Sequence, residues 1–173
     1  MKALIISMSL LVHSILVSAQ QPYVQQSEIT SENGVSEIRL KSDGSLYTGI
    51  VVSQYENGRP QLWREVKEGK ANGLWMEWYE NGNLRFKANW QEGRGHGLWQ
   101  YFHENGQVRD EGVYRYDIPT GIHQEYHANG QLAVRKFYID GKQEGEWQYF
   151  SPEGLPEKTE LYRLGEMIGE TQN

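Results

Sequence analysis

The sequence contains no cysteine, which excludes a disulfide framework, a thiolate metal centre and a cysteine nucleophile. Nor has it a basic excess: 17 Lys and Arg stand against 23 Asp and Glu, a formal net charge of −6. That sign opposes non-specific binding to nucleic acid and strong binding to an anionic membrane. Apolar content is modest, while 19 glycines and a 12% share of aromatic residues stand out. Such a mix suits short strands and tight turns.

The glycines are not scattered. Gly49, Gly73, Gly97, Gly121 and Gly145 recur every 24 residues, and Gly58, Gly82, Gly106, Gly130 and Gly154 follow each by nine. A third phase holds Gly69, Gly93, Gly141 and Gly165, interrupted at Ser45 and Asp117. The unit is clearest in "GLWMEWYENGNL" from residue 73, with "GLWQYFHENGQV", "GIHQEYHANGQL" and "GEWQYFSPEGLP" behind it and a weaker "GIVVSQYENGRP" ahead. A repeat array of this kind buries surface between neighbouring units and does not need a single globular core.

The N-terminus reads as an export signal. Met1 and Lys2 give a short positive start, "ALIISMSLLVHSILV" an apolar run too short to span a membrane comfortably, and Val17 and Ala19 small residues before "QQPY". Cleavage is expected after Ala19, with a periplasmic or secreted product one charge unit more negative for the loss of Lys2. Three segments result: a signal peptide over 1–19, a linker with a degenerate repeat over 20–40, and a repeat array over 41–169.

Asn-Gly at 57/58, 81/82, 105/106 and 129/130 predicts a β-hairpin in each unit, closed by a two-residue type I′ turn with positive φ at both positions. Glu153-Gly154 replaces it in the last unit. Pairing across that turn sets Tyr79 opposite Leu84, Glu77 opposite Phe86 and Trp75 opposite Ala88, on a core face shared with Trp90, Trp99, Tyr114, Tyr138, Trp147 and Tyr162. The other face carries Trp78 beside Arg85, Phe102 beside Arg109, then Tyr126 and Phe150, as a spaced aromatic row.

The unit G-x-W-x-x-Y/F-x-x-N-G-x-L, followed by an aromatic and a glycine-rich link such as "GKQEG", resembles the MORN-variant repeats of bacterial proteins commonly labelled toxin–antitoxin antitoxin components. The resemblance covers about residues 49 to 169. It implies an all-β fold, an elongated antiparallel single-layer meander of hairpins, and a surface for binding or scaffolding. The sequence departs from the pattern at His123, where tryptophan is expected, and at Asp117.

No constellation for catalysis, cofactor or metal emerges. His103 and His127 recur at one repeat position, about 10 Å apart across two strand spacings, too far to share a zinc ion. Glu56, Glu80 and Glu104 form a spaced acidic ladder that cannot converge on calcium. The expectation is therefore a non-enzymatic, exported interaction or scaffolding module of the cell envelope. Its candidate surface is Trp78, Phe102, Tyr126, Phe150, Arg85 and Arg109, and its partner a protein. A carbohydrate-binding module stacking sugars on that spaced row is the alternative, and an antitoxin the second.

Overall fold

The computed structural model describes residues 22–32 and 37–172. The signal segment expected at 1–19 lies outside the described residues. Fifteen strands are formed: β1 (Tyr23–Gln25), β2 (Ile29–Glu32), β3 (Glu37–Leu40), β4 (Gly49–Gln54), β5 (Pro60–Lys67), β6 (Lys70–Trp78), β7 (Leu84–Gln91), β8 (Arg94–Phe102), β9 (Val108–Arg115), β10 (Ile118–Tyr126), β11 (Leu132–Ile139), β12 (Lys142–Gln143), β13 (Gly145–Phe150), β14 (Pro156–Arg163) and β15 (Glu166–Gln172). The hydrogen-bonding order of the main sheet follows the chain from β4 to β15, β12 pairing aside on β11, while β2 and β3 make a separate two-stranded sheet. The all-β fold of consecutive antiparallel hairpins is thus the one the repeats imply, and the sheet is open rather than closed as a barrel. Among the described residues the one parallel pairing is β1 on β4.

The turns correct the expected chemistry. At Asn105-Gly106 only the glycine has positive φ, +89°, and at Asn129-Gly130 only Gly130, +85°. The Gly106 N–H donates to the His103 carbonyl at 2.9 Å and the His103 N–H to the Gln107 carbonyl at 2.8 Å. The loop is therefore three residues, Glu104-Asn105-Gly106, a type I turn followed by a glycine bulge. Type I′ geometry belongs instead to the other link of each unit. There Glu92 and Gly93 have φ of 52° and 79°, Asp140 and Gly141 46° and 81°, Leu164 and Gly165 53° and 94°. The interruption at Asp117 keeps the geometry, with Tyr116 at 51° and Asp117 at 69°.

Asparagine precedes the glycine for its side chain. Asn105 Oδ1 accepts the Gln107 N–H at 3.0 Å, and its Nδ2 donates to the Ala128 carbonyl of the next unit at 2.6 Å. Asn129 does the same with the Gln131 N–H at 3.0 Å and the Pro152 carbonyl at 2.7 Å.

The longer loop moves the register by one residue, and a bulge moves it back. Phe102 pairs with Val108, not with Arg109 as expected, whereas Tyr101 pairs with Asp110 and Trp99 with Gly112, as a two-residue turn predicts. Arg109 is the extra residue between them. Tyr126 likewise pairs with Leu132 but Glu125 with Val134, and Phe150 with Pro156 but Tyr149 with Lys158.

Contacts divide the chain into two units, one of residues up to 84 with 90–93, the other of 85–89 with 94 onward. In the first unit β4 is covered on both faces, so that the adjacent Ile50 and Val51 are both fully buried. Val51, Leu62 and Val66 pack with Ile29, Ile38 and Tyr47, while Ile50, Val52 and Trp63 pack with Met76 and Trp78. Within residues 20–40, read from sequence as linker and degenerate repeat, the described residues supply β1 and the paired β2 and β3 of this core. Each fully buried aliphatic side chain there contributes about 1.5–3 kcal/mol.

The second unit is organised by a row of rings on one face of the sheet. Phe86, Trp99, Tyr114, His123, Tyr138, Trp147 and Tyr162 follow one another with centroids 5.5, 4.9, 5.2, 4.9, 5.3 and 4.7 Å apart. Edge and tilted aromatic pairs add about 0.5–1.5 kcal/mol each beyond the area they bury.

Candidate interaction surfaces

The six expected surface residues fall into different settings. Trp78 packs against the Ile50, Val52 and Trp63 cluster of the first unit. Arg85 is exposed on β7. In the second unit Phe102, Tyr126 and Phe150 are half-buried and share one face. Each sits beside an aliphatic or proline partner in the register, Val108, Leu132 or Pro156. Arg109, expected next to Phe102, is carried by its bulge to the opposite face, where its guanidinium lies 5.2 Å from the Tyr101 ring centroid and its Nε pairs with Asp110.

Histidines anchor the backbone of this row. His103 Nε2 donates to the Tyr126 carbonyl at 2.9 Å and His127 Nε2 to the Phe150 carbonyl at 2.8 Å, as the Tyr55 hydroxyl does to the Trp78 carbonyl at 2.7 Å in the first unit. The Tyr126 hydroxyl donates to Glu111 at 3.1 Å, and Gln100 Nε2 donates to the other Glu111 oxygen at 3.0 Å. Burial and that carboxylate together hold the Tyr126 hydroxyl above its ordinary pKa.

Beyond this polar line, on the same face, lies a stripe that the sequence reading passed over. Leu98 and Val113 are paired across β8 and β9, Ile122 and Phe137 across β10 and β11, and Leu161 continues it on β14. They are 42%, 41%, 45%, 37% and 41% exposed. Arg115, Arg135 and Arg163 stand exposed on the same face two residues along from Val113, Phe137 and Leu161. The signal was available: Leu98 and Ile122 follow the first-phase glycines, and strand alternation puts them opposite the neighbouring Trp99 and His123.

The ring-bearing face holds a cleft of about 210 Å³, framed by Trp99, Tyr101, Tyr114, His123 and Tyr138 with Asp110, Glu125 and Lys136 among its lining residues. It forms where the repeat is least regular. Trp99 and Trp147 flank His123 in the array, and Gly112 lies on β9 where Ala88 and Lys136 occupy the equivalent positions of other repeats. His123 leans over that glycine so closely that a Cβ at 112 would meet its Nδ1 at 2.1 Å. Its Nε2 donates to the Val113 carbonyl at 3.1 Å. Burial lowers the imidazole pKa below the usual 6.5, with nearby Lys136 acting in the same direction, which favours the neutral ring.

The charges lining the cleft are compensated in place. Glu125 pairs with Lys136, whose ammonium also lies 5.2 Å from the Trp147 ring centroid, and Asp110 pairs with Arg109. In the next repeat the same face is filled by a closed cluster. Glu160 accepts from Lys158 at 2.7 Å, from the Tyr149 hydroxyl at 2.7 Å and from the Tyr162 hydroxyl at 3.0 Å. The Lys158 bond first, then the Tyr149 bond, lowers the Glu160 pKa.

Residues 71–92, 95–116 and 119–140 match the family model described as the MORN repeat variant. Each match covers one hairpin, from the strand after one type I′ turn to the start of the next such turn. Repeats of this family are binding modules for proteins or membranes and are not typically enzymatic. No curated protein matches the chain.

Proposed function

MORN-variant repeats form the centre of this chain, and from them we propose a non-enzymatic, exported protein-interaction module of the cell envelope that takes its partner on the Leu98–Leu161 face. The observation that carries this reading is the exposed group of Leu98, Val113, Ile122 and Phe137, with Leu161 beyond the intervening Glu146, since exposed apolar patches mark interaction sites. Arg115, Arg135 and Arg163 run beside it, and none of them forms an ion pair among the described residues. The fitting partner is a protein surface with an apolar centre and an acidic rim. A net charge of −6 weighs against an anionic bilayer as the alternative occupant. Half-buried Phe102, Tyr126 and Phe150 support the same face from behind the polar line. Export rests on the charged start, apolar run and small residues before Gln20.

The test is crosslinking capture from the native envelope with wild-type protein and a Leu98→Asp/Ile122→Asp variant. Both substituted side chains are more than two-fifths exposed, so the variant should keep its strand circular dichroism and melting temperature while losing the captured protein. Retention by the variant of every protein the wild type captures, or wild-type sedimentation with anionic vesicles in place of protein capture, would refute the reading. Mass spectrometry of the native protein should find Gln20 at its N-terminus, and a retained Met1 would end the export part.

A further inference from the structure

We propose that the cleft around Gly112 and His123 is a saccharide site taking one neutral pyranose unit. It lies on the face opposite the aliphatic stripe and stands independently of the partner proposed there.

The first ground is shape. Four adjacent strands contribute: Trp99 and Tyr101 from β8, Asp110, Gly112 and Tyr114 from β9, His123 and Glu125 from β10, Lys136 and Tyr138 from β11. At about 210 Å³ the space is below the range of about 300–1,000 Å³ that suits drug-sized ligands, and so admits one small ring. The opening depends on His123 of one repeat lying over Gly112 of the repeat before it. A tryptophan at 123 would occupy it as Trp147 is buried against the adjoining rings, at 6% exposure.

The second ground is surface chemistry. The framing rings of Trp99, Tyr101, Tyr114, His123 and Tyr138 are half-buried, so ring surface faces the solvent in the cleft. One face of a pyranose is a patch of C–H groups that packs on aromatic rings, and its edge is a fan of hydroxyls. Around these rings stand Asp110, Glu125 and Lys136, which offer both acceptors and donors to hydroxyls.

The third ground is charge, and it separates a sugar from a cation. Electron-rich rings with carboxylates would also suit an ammonium or guanidinium group. Here the two carboxylates beside the rings already hold the protein's own cations, Asp110 with Arg109, which also lies over Tyr101, and Glu125 with Lys136. The neutral state favoured for His123 adds no positive charge to attract an anion. A neutral polyol exploits the rings and the paired charges together, because each ion pair keeps unused lone pairs and N–H groups for hydroxyls.

Saturation-transfer NMR on the full chain tests this, with methyl β-glucopyranoside, methyl β-galactopyranoside and N-acetylglucosamine as millimolar probes and tetramethylammonium as the cation control. Wild type should transfer saturation to the ring C–H protons of at least one sugar. His123→Trp, which restores the tryptophan of the repeat, should lose that transfer while melting no lower than wild type. Glu125→Gln leaves the rings in place and should weaken the same sugar several-fold, so the claim stays testable if the first variant folds poorly. Absence of transfer to all three sugars, undiminished transfer in both variants, or displacement of the sugar by tetramethylammonium would overturn the proposal.

Discussion

Asn105→Gly distinguishes the turn that the sequence predicts from the one that forms. In a type I′ turn asparagine holds positive φ, and relief of that conformation by glycine, offset by glycine's backbone entropy, would leave the change neutral or stabilising by up to about 1 kcal/mol. In the structure Asn105 is not among the residues with positive φ, and its side chain makes two hydrogen bonds, to the Gln107 N–H at 3.0 Å and the Ala128 carbonyl at 2.6 Å. Each such bond contributes about 0.5–1.5 kcal/mol net. Glycine also adds about 0.5–1 kcal/mol of backbone entropy to be lost on folding. Because the Ala128 carbonyl is at the surface and can take water, the expected cost lies toward the lower end, about 2 kcal/mol.

The companion variant is Glu92→Gly, in the link that does adopt type I′ geometry. Glu92 has φ of 52° and is exposed. Relief of a left-handed non-glycine residue recovers about 1–2 kcal/mol, offset by the glycine entropy, for a net gain of about 0.5–1 kcal/mol. At about 2–4 °C per kcal/mol for a chain of this size, Asn105→Gly should lower Tm by about 4–8 °C and Glu92→Gly raise it by about 1–4 °C. Circular dichroism melts read the shifts, and amide exchange at Gln107 confirms that the first is local. An Asn105→Gly protein as stable as wild type, or a destabilised Glu92→Gly, would refute the turn assignment.

Arg64 is 6% exposed, its Nε and Nη1 have no acceptor among the described residues, and its guanidinium lies 3.8 Å from the Trp75 ring centroid. Desolvation pulls its pKa down to about 10. Arg64→Met should therefore raise the urea midpoint by the equivalent of about 1 kcal/mol, and a lowered midpoint would show that the contact with Trp75 outweighs the burial penalty. The depressed carboxyl of Glu160 contributes stability above the unfolded value of 4.5 that is lost as pH falls through the folded pKa, so wild type should lose more than Glu160→Gln in acid melts below 4.5. His123 has the same sign: its folded pKa lies below 6.5, so its contribution is present above 6.5 and lost as pH falls through the folded value. Melts of His123→Trp should lack that component, since Lys136, Glu125, Tyr114 and Tyr138 around the site are unchanged.

The repeat, the strand directions and the ring row were legible because they rest on alternation and on glycine phase, both properties of the chain itself. The body register was also right, but through two errors that cancel. A two-residue turn was expected where a three-residue loop forms, and the bulge at Arg109 restores the offset before Tyr101 meets Asp110. Only the residues between loop and bulge betray this, and Arg109 is among them, which is why its face was misjudged. The β2–β3 hairpin was not legible, since burial of Ile29 and Ile38 depends on strands that follow later in the chain. His123 was visible as a departure, but its consequence required knowing that Gly112 would lie beneath it.

Why one repeat can depart without unravelling its neighbours follows from how the units are joined. Tyr55 reaches the Trp78 carbonyl, His103 that of Tyr126 and His127 that of Phe150. Asn105 and Asn129 bond the loops ahead of them, at Ala128 and Pro152. Each of these bonds runs to the next unit and no further, so stability is close to a sum of local and nearest-neighbour parts. On this arrangement the loss of a tryptophan at 123 is absorbed between Trp99 and Trp147, and the rest of the array is expected not to sense it. Asp117 is absorbed in the same way, its carboxylate taking the Gly95 N–H at 2.6 Å and Arg94 Nε at 3.0 Å. Restoring the repeat with His123→Trp should accordingly slow amide exchange in β9, β10 and β11 and leave β14 and β15 unchanged. Slowed exchange reaching β15 would mean that the ring row couples the hairpins over long range, and the confinement of the cleft to two adjacent repeats would need another cause.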